Sequence, residues 1–330
     1  MNRKSSAPNI KDVAKMSGVS TATVSHVING TRYVSDETKQ RVRDSIDALG
    51  YVPNAMARVF KTGQKNLVGF IVPDIANPYW SLIIEEIESI LSQNDYRLLI
   101  VNTKETPERE REALRMLSAG ICDGIIAAST LTDWHQIEKN LPRSFPLVLV
   151  DRNFEDCPLE TITISNRSAI CRGVEQMIAE GHTRIGFVTG LPRISTTVER
   201  LEAYKEVMAA HGLSTDGLIL EGSALAKSAA LPLGQLIDKG CTAVVISNNV
   251  MGNDAVLTLA QRGLTIGKDI SLLCYNEEGR DRFGFEHANR IAQPCTELGR
   301  IAGERILARI QAPESAIRNS ILYSTYIKAT

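Results

Sequence analysis

A chain of 330 residues with 43% apolar side chains is long enough for two or three folding units with sizeable cores, and no apolar run reaches the ~18–20 residues needed to cross a bilayer. The net charge of −1 hides a division: residues 1–65 carry 11 basic and 5 acidic side chains, a balance of +6, and the remainder carries 26 and 33, a balance of −7. The six scattered cysteines form no C-x-x-C pair, and MNRKSSAPNI is followed by no apolar signal segment; buried thiols, no disulfides and a cytoplasmic location are expected.

The basic head contains three helix signals. Asn9 is placed to cap a helix over residues 10–16, with Asp12 in its electropositive first turn and Gly18 marking the turn that follows. Ser20 is placed to cap a second helix, and Ser35, ahead of Asp36 and Glu37, a third running to Gly50. At 100° per residue, Val24, Val27 and Ile28 share one face of the second helix, while Thr21, Ala22, Ser25, His26 and Asn29 fall on the opposite arc. Two short helices around a glycine turn, completed by a third, read as a helix-turn-helix whose second helix enters a major groove. A merely basic, solvated tail would lack this capped apolar periodicity.

The stretch "NIKDVAKMSGVSTATVSHVINGTRYVSDETKQRVRDSIDALGYVPNAMAR" resembles, nearly without gaps, the DNA-binding head of the lac and purine repressor family. The resemblance implies base reading by Thr21, Ala22 and His26, and further DNA contacts from Ser20, Thr23, Ser25, Asn29 and Arg32. It also implies that residues 54–61, too short for a stable isolated helix, form a hinge helix on operator DNA. There Ala57, Phe60 and Lys61 would meet the minor groove, with Phe60 standing where most relatives have a leucine wedge. A flexible linker is the alternative for the free protein.

From Asn66 onward, short β-rich runs alternate with amphipathic intervals. Strands are expected at 67–72, 97–101, 124–127, 147–150, 162–164, 184–188, 243–247 and 271–275, with helical stretches such as 80–93 and 109–119 between them. Continuous apolar strands separated by helices predict an α/β body of doubly wound parallel sheets, covered on both faces. The body resembles the ribose- and galactose-binding type of core, in which ligand lies between two lobes. The organisation expected is a helix-turn-helix domain at 1–53, a hinge helix and linker at 54–65, and an effector-binding and dimerisation core at 66–330. Within that core, lobe 1 is expected at about 66–164 and 294–320, and lobe 2 at about 165–293 and 321–330.

By that resemblance, "PDIANPYW" brings Tyr79 and Trp80 to the cleft, "VDR" brings Asp151, and "ISTTVERLEAY" brings Thr196 and Arg200. "SNNVMGND" contributes Asn249 and "CYNE" contributes Asn276. Aromatic planes with an arginine, amides and a carboxylate suit a polar ring such as a sugar. Ile194 and Ala224 stand where the purine repressor has arginine and phenylalanine, which argues against a purine. Asn249 and Asn276 replace common aspartates and remove negative charge, which favours phosphate or carboxylate groups on the ligand. A sugar or sugar phosphate is therefore the expected effector.

No nucleotide-binding, serine-hydrolase or zinc-protease motif occurs, and the five histidines have no metal-ligand spacing. No cofactor, metal site or catalytic residue is expected. A transport-type solute-binding protein would share the core but carry a signal peptide and no DNA-reading head. The expectation is a bacterial repressor, nucleoid-associated, binding a pseudo-palindromic operator as a homodimer under a small polar effector. No heptad tail pairing dimers into tetramers is expected after "ILYSTYIKAT".

Overall fold

The structure, a computed structural model, describes residues 8–52, 63–223, 225, 228–277 and 285–329, with the backbone alone at Asn29, Asn276 and Glu277. Ala57, Phe60 and Lys61 of the expected hinge, Ala224, and the side chains of Asn29 and Asn276 lie outside the described residues. The chain divides into two units, Met1–Lys65 and Asn66–Thr330.

In the smaller unit, Asn9 caps α1 (Ile10–Ser17): its side chain accepts from the Lys11 amide at 2.9 Å, and Asp12 accepts from the Asn9 amide at 2.9 Å. This reciprocal box satisfies donors that a helix start leaves orphaned. Gly18 ends α1 at φ +67, a left-handed conformation that glycine adopts without strain. The Ser20 hydroxyl accepts from the Thr23 amide at 3.1 Å and opens α2 (Thr21–Asn29). Ser35 stands at the N-cap of α3 (Asp36–Leu49), but its hydroxyl meets that of Thr38 at 2.9 Å and makes no capping bond to the backbone. Asp36 and Glu37 supply the negative charge that complements this helix end. Val13, Ala14, Val24 and Val42 form the buried centre, with Val27, Ile28, Ile46 and Leu49 packed around it.

The larger unit begins β1 (Leu67–Val72), α4 (Pro78–Ser92), β2 (Arg97–Asn102), α5 (Pro107–Met116), β3 (Gly124–Ala127), α6 (Trp134–Glu138), β4 (Leu147–Asp151), β5 (Thr161–Ser165). It continues α7 (Arg167–Ala179), β6 (Ile185–Thr189), α8 (Ser195–Ala210), β7 (Ile219–Glu221), α9 (Ala230–Asp238), β8 (Ala243–Ile246), α10 (Asn249–Gln261), β9 (Ser271–Glu277), β10 (Asn289–Gln293). It closes with α11 (Cys295–Gln311), β11 (Ser320–Tyr323) and β12 (Thr325–Ile327). Two six-stranded sheets result, ordered β11-β5-β4-β3-β1-β2 and β12-β10-β9-β8-β6-β7. The first is parallel throughout and the second is parallel except for β12.

The eight expected strands form within a residue or two of their sequence-read limits. Two more were not read as strands. β7 is three residues long, and β10 (NRIAQ) is too polar to announce itself, although alternate side chains are buried. The terminal run splits at Ser324, so its two halves join different sheets, and the last crossing falls there instead of at 320/321.

Helices α4 and α11 lie close together on one face of the first sheet, within the core formed by Ile83, Ile87, Leu298, Ala302 and Ile306. A Cβ on Gly299 would stand 2.7 Å from the Ile83 carbonyl oxygen, and one on Gly303 would stand 2.9 Å from Ile90 Cβ. The first clash is with backbone, which no rotamer change relieves. Gly299→Ala is therefore expected to destabilise the first lobe by roughly 1–3 kcal/mol despite alanine's better helix propensity. Thermal melts of the two proteins check this, and an unchanged or raised Tm would refute the close approach.

Candidate functional site

In both sheets the second and third strands in sequence flank the first on opposite sides, β2-β1-β3 and β7-β6-β8. Such a reversal opens a crevice beyond the strands' carboxyl ends. The chain crosses between sheets after β5, after β10 and at Ser324, which leaves the two crevices in one cleft. Its walls comprise Asp74, Asn77, Tyr79 and Trp80 after β1, Glu105 after β2, and Asp151 and Arg152 at β4. The second lobe contributes Gly190, Leu191, Ile194, Thr196, Thr197 and Arg200 after β6, and Ser247, Asn248 and Asn249 after β8. Gln293 enters from the crossing strand.

Six of the seven residues expected at the ligand, namely Tyr79, Trp80, Asp151, Thr196, Arg200 and Asn249, line this single cavity. The seventh, Asn276, has its side chain outside the described residues. Trp80 is 3% exposed and packs edge-on against Phe70 and Tyr79, so it serves the core as well as the wall. The Tyr79 hydroxyl donates to Asp151 Oδ1 at 2.6 Å. Arg200 donates to the Ser247 carbonyl at 2.7 Å and to Asn166 Oδ1 at 3.4 Å, with its guanidinium 4.0 Å from the Tyr275 ring centre.

The lobes meet directly. Asn249 Nδ2 of α10 donates to Asn77 Oδ1 at 2.7 Å, and Asn77 also accepts from the Tyr79 amide at 3.0 Å as the cap of α4. Arg193 donates to the Glu105 carbonyl at 2.9 Å, and the Asn153 amide donates to Ser195 Oγ at 3.0 Å. The N-termini of α4, α8 and α10 border the cavity with their positive dipole ends, although Asn77 and Asn248 already take the first amides of α4 and α10 as caps. The free space within is about 70 Å³, enough for a few waters.

Several wall residues escape sequence reading. Asn77 is hidden as an ordinary helix cap. Arg152 and Glu105 form a buried ion pair between residues 47 apart, for which no local pattern exists. Behind the wall, Asn166, fully buried, holds the crossing strands.

On α2 of the head, Thr21 and Ala22 are exposed, Thr23, Ser25 and His26 are half-buried, and Val24 is buried. Ser20 and Arg32 are exposed beside them. His26 Nδ1 lies 2.8 Å from Thr31 Oγ1, which fixes the ring and leaves Nε2 as its other polar atom. Tyr33, unremarked in the sequence, is 91% exposed, with the Lys39 ammonium 5.8 Å from its ring. An aromatic outside any apolar period, between Gly30 and the start of α3, was the available signal.

A three-helix helix-turn-helix unit and a two-lobed core with an interlobe cleft are the parts of a DNA-binding regulator with a small-molecule site. Residues 9–54 match bacterial regulatory proteins of the lacI family, and residues 65–330 match periplasmic binding proteins and the sugar binding domain of the LacI family. The HTH-type transcriptional repressor PurR of Vibrio atlanticus is 31% identical, over 92% of this chain and 92% of its own. The ribose operon repressor of Haemophilus influenzae is 29% identical, over 96% of each. A lac repressor dimer bound to operator and the anti-inducer ONPF superposes with a TM-score of 0.84 at 25% identity, over 98% of both chains. The chain belongs to the LacI family: it is a DNA-binding transcriptional repressor with an effector-binding core, and not an enzyme.

Asp151 is left-handed at φ +68 and 7% exposed. Burial raises its pKa above the ordinary 3.8, against the opposing pull of Arg152, the Tyr79 hydrogen bond and Arg200, while Glu105 adds to the rise. Burial also raises the Tyr79 hydroxyl far up, helped by Asp151, so this hydroxyl remains a donor. Because the folded state holds the Asp151 proton more tightly than the unfolded state does, its stability contribution is complete below the ordinary value. That contribution is lost as pH rises through the folded pKa. Asp151→Asn removes this cost and suits the left-handed backbone. Its Tm relative to wild type should climb from about pH 4 to neutrality; a flat or falling difference would contradict a raised pKa.

Proposed function

We propose that this repressor binds a pseudo-palindromic operator as a homodimer in the bacterial cytoplasm, and that a sugar or sugar phosphate in the interlobe cleft sets its operator affinity. The convergence of six sequence-read residues on one cavity, closed by the Asn77–Asn249 bond between lobes, carries the ligand part of this reading. Helix N-termini, amides and an arginine over an aromatic ring suit hydroxyl-rich rings. The PurR relatives keep a purine in contention. Against it stands Ile194, an apolar wall residue 7% exposed where the purine repressor has arginine.

In the head, Thr21, Ala22 and His26 are proposed to read bases, with Ser20, Thr23, Ser25, Asn29 and Arg32 as supporting DNA contacts. Tyr33 joins them as an exposed aromatic on the same surface loop as Arg32. One head is too small for tight specific binding, and two-fold dimers match palindromic half-sites. Leu231 and Leu257, exposed at 73% and 55% on α9 and α10, are apolar side chains on the second lobe that a dimer partner would cover. Ala57, Phe60 and Lys61 are proposed as the minor-groove segment.

A thermal-shift screen of sugars, sugar phosphates and purines tests the ligand class, since a ligand at 100 times its Kd stabilises by ~2.7 kcal/mol. With the hit in hand, Arg200→Ala should abolish the change in operator affinity, of order 5- to 150-fold, while ligand-free operator binding stays near wild type. A surviving response at the same ligand concentration would move the site elsewhere. For the hinge, Phe60→Ala is expected to weaken operator binding and straighten the DNA without altering half-site preference. Equal bending by both proteins in circular-permutation gel shifts would exclude Phe60 as the wedge.

A further inference from the structure

We propose that Glu105 determines the charge class of the cleft's ligand: by occupying the Arg152 guanidinium it withholds a second cation from anions, so the cleft selects neutral polyhydroxyl compounds over phosphorylated ones. This rests on the cleft being the effector site and narrows the ligand expected there.

Arg152 follows Asp151 directly at the end of β4 and is 7% exposed. One terminal nitrogen donates to Glu105 Oε2 at 3.0 Å and to the Ser129 carbonyl at 2.8 Å, and the other donates to Glu105 Oε1 at 2.5 Å. The pair is bidentate, which is the geometry in which a guanidinium receives a carboxylate or a phosphate. The Arg152 Nε makes no hydrogen bond among the described residues and stands 3.9 Å from Asp151 Oδ2. Although burial works against its charge, the Glu105 carboxylate and then Asp151 hold Arg152 firmly protonated. Chemically, Glu105 sits where the terminal oxyanion of a ligand would bind.

The loop that delivers Glu105 is unusual. Lys104 and Glu105 are consecutive non-glycine residues in the left-handed region, at φ +53 and +54, a conformation that side chains with a Cβ rarely adopt in succession. Three contacts hold it: the Lys104 ammonium on Asp74, the Glu105 carboxylate on Arg152, and Arg193 from the other lobe on the Glu105 carbonyl. Two pairs of charges around the cavity are thus matched, Lys104 with Asp74 and Arg152 with Glu105, while Asp151 accepts from Tyr79 and lies 3.9 Å from Arg152 Nε. A free anion must displace a tethered carboxylate whose effective concentration far exceeds that of a metabolite. Hydroxyl groups face no such contest, because they carry no charge that must replace the Glu105 carboxylate on Arg152.

The test uses the full chain as wild type, Glu105→Gln and the double variant Glu105→Gln/Arg152→Gln. Each is titrated with inorganic phosphate against chloride at matched ionic strength, followed by Tm and by calorimetry. Glu105→Gln keeps a hydrogen-bond acceptor for Arg152 while removing the charge. It should gain a saturable phosphate response at least tenfold tighter than wild type, and the double variant should lose it. Glu105→Gly, which removes the carboxylate and suits the left-handed backbone, gives the same comparison should the glutamine variant fold poorly. A single variant that titrates like wild type, or a double variant that responds like Glu105→Gln, overturns the proposal and leaves the pair a structural tie. A neutral sugar that fails to stabilise wild type would count against the effector reading alone, because the phosphate gain does not depend on any sugar.

Discussion

Parallel strands joined by right-handed crossovers place every loop that follows a strand at the same end of the sheet. The rest of the core depends on that constraint. Asp74 and Asn77 follow β1, Glu105 follows β2, Ser129 follows β3, Asp151 and Arg152 close β4, and Ser247 and Asn249 follow β8. Residues from 74 to 293 thus reach one cleft although few are neighbours in the chain. The same topology aims the N-termini of α4, α8 and α10 at the cavity, so its polarity is partly a property of the backbone. Side chains then divide the work: Asn77 caps a helix and receives Asn249 across the cleft, and Tyr79 buries its ring while its hydroxyl satisfies Asp151.

What the sequence discloses follows from the range of the interactions. Strands buried on both faces, such as LVGFIV and LVLVD, are continuous apolar runs and are legible directly. Helix starts at Asn9 and Ser20 are equally so, because a cap acts within three residues. Strand β10 is not, because its burial comes from neighbours on both sides while its own composition is polar. The split at Ser324 is hidden too, since ILYSTYIK reads as one strand until two separate sheets compete for its halves. In the cleft, residues set by strand-end motifs were found, whereas Glu105 with Arg152 and Asn77 with Asn249 were missed. Those partners lie 47 and 172 positions apart, and only the folded topology brings them together. The left-handed pair at Lys104 and Glu105 carried no warning either, because no glycine stands there.

The head follows a different economy. Its small core of valines fixes three short helices, and the exposed side chains of α2 are free to be chosen for contact with a partner. His26 shows how far that choice is constrained. Thr31, beyond the helix's glycine cap, holds one ring nitrogen, so the loop after α2 helps to orient a residue on its outer face.

Arg200, a cleft residue, is hydrogen-bonded into the segments where the chain crosses between the lobes. Asn166 begins the first crossing, fully buried; its amide nitrogen donates to the Ile164 carbonyl at 2.9 Å and to Glu199 Oε2 at 3.2 Å. Its side-chain oxygen accepts from Ser324, the residue of the last crossing, at 3.0 Å and from Arg200 at 3.4 Å. Two crossing strands and a cleft arginine therefore share one acceptor. Glu199, one position before Arg200 on α8, also accepts from the Ser165 hydroxyl at 2.9 Å and the Asn166 amide at 3.1 Å. In the proposed reading, a ligand that draws on Arg200 would act on the residue that ties the crossings together, and the coupling, reciprocal as linkage requires, would run through one buried asparagine.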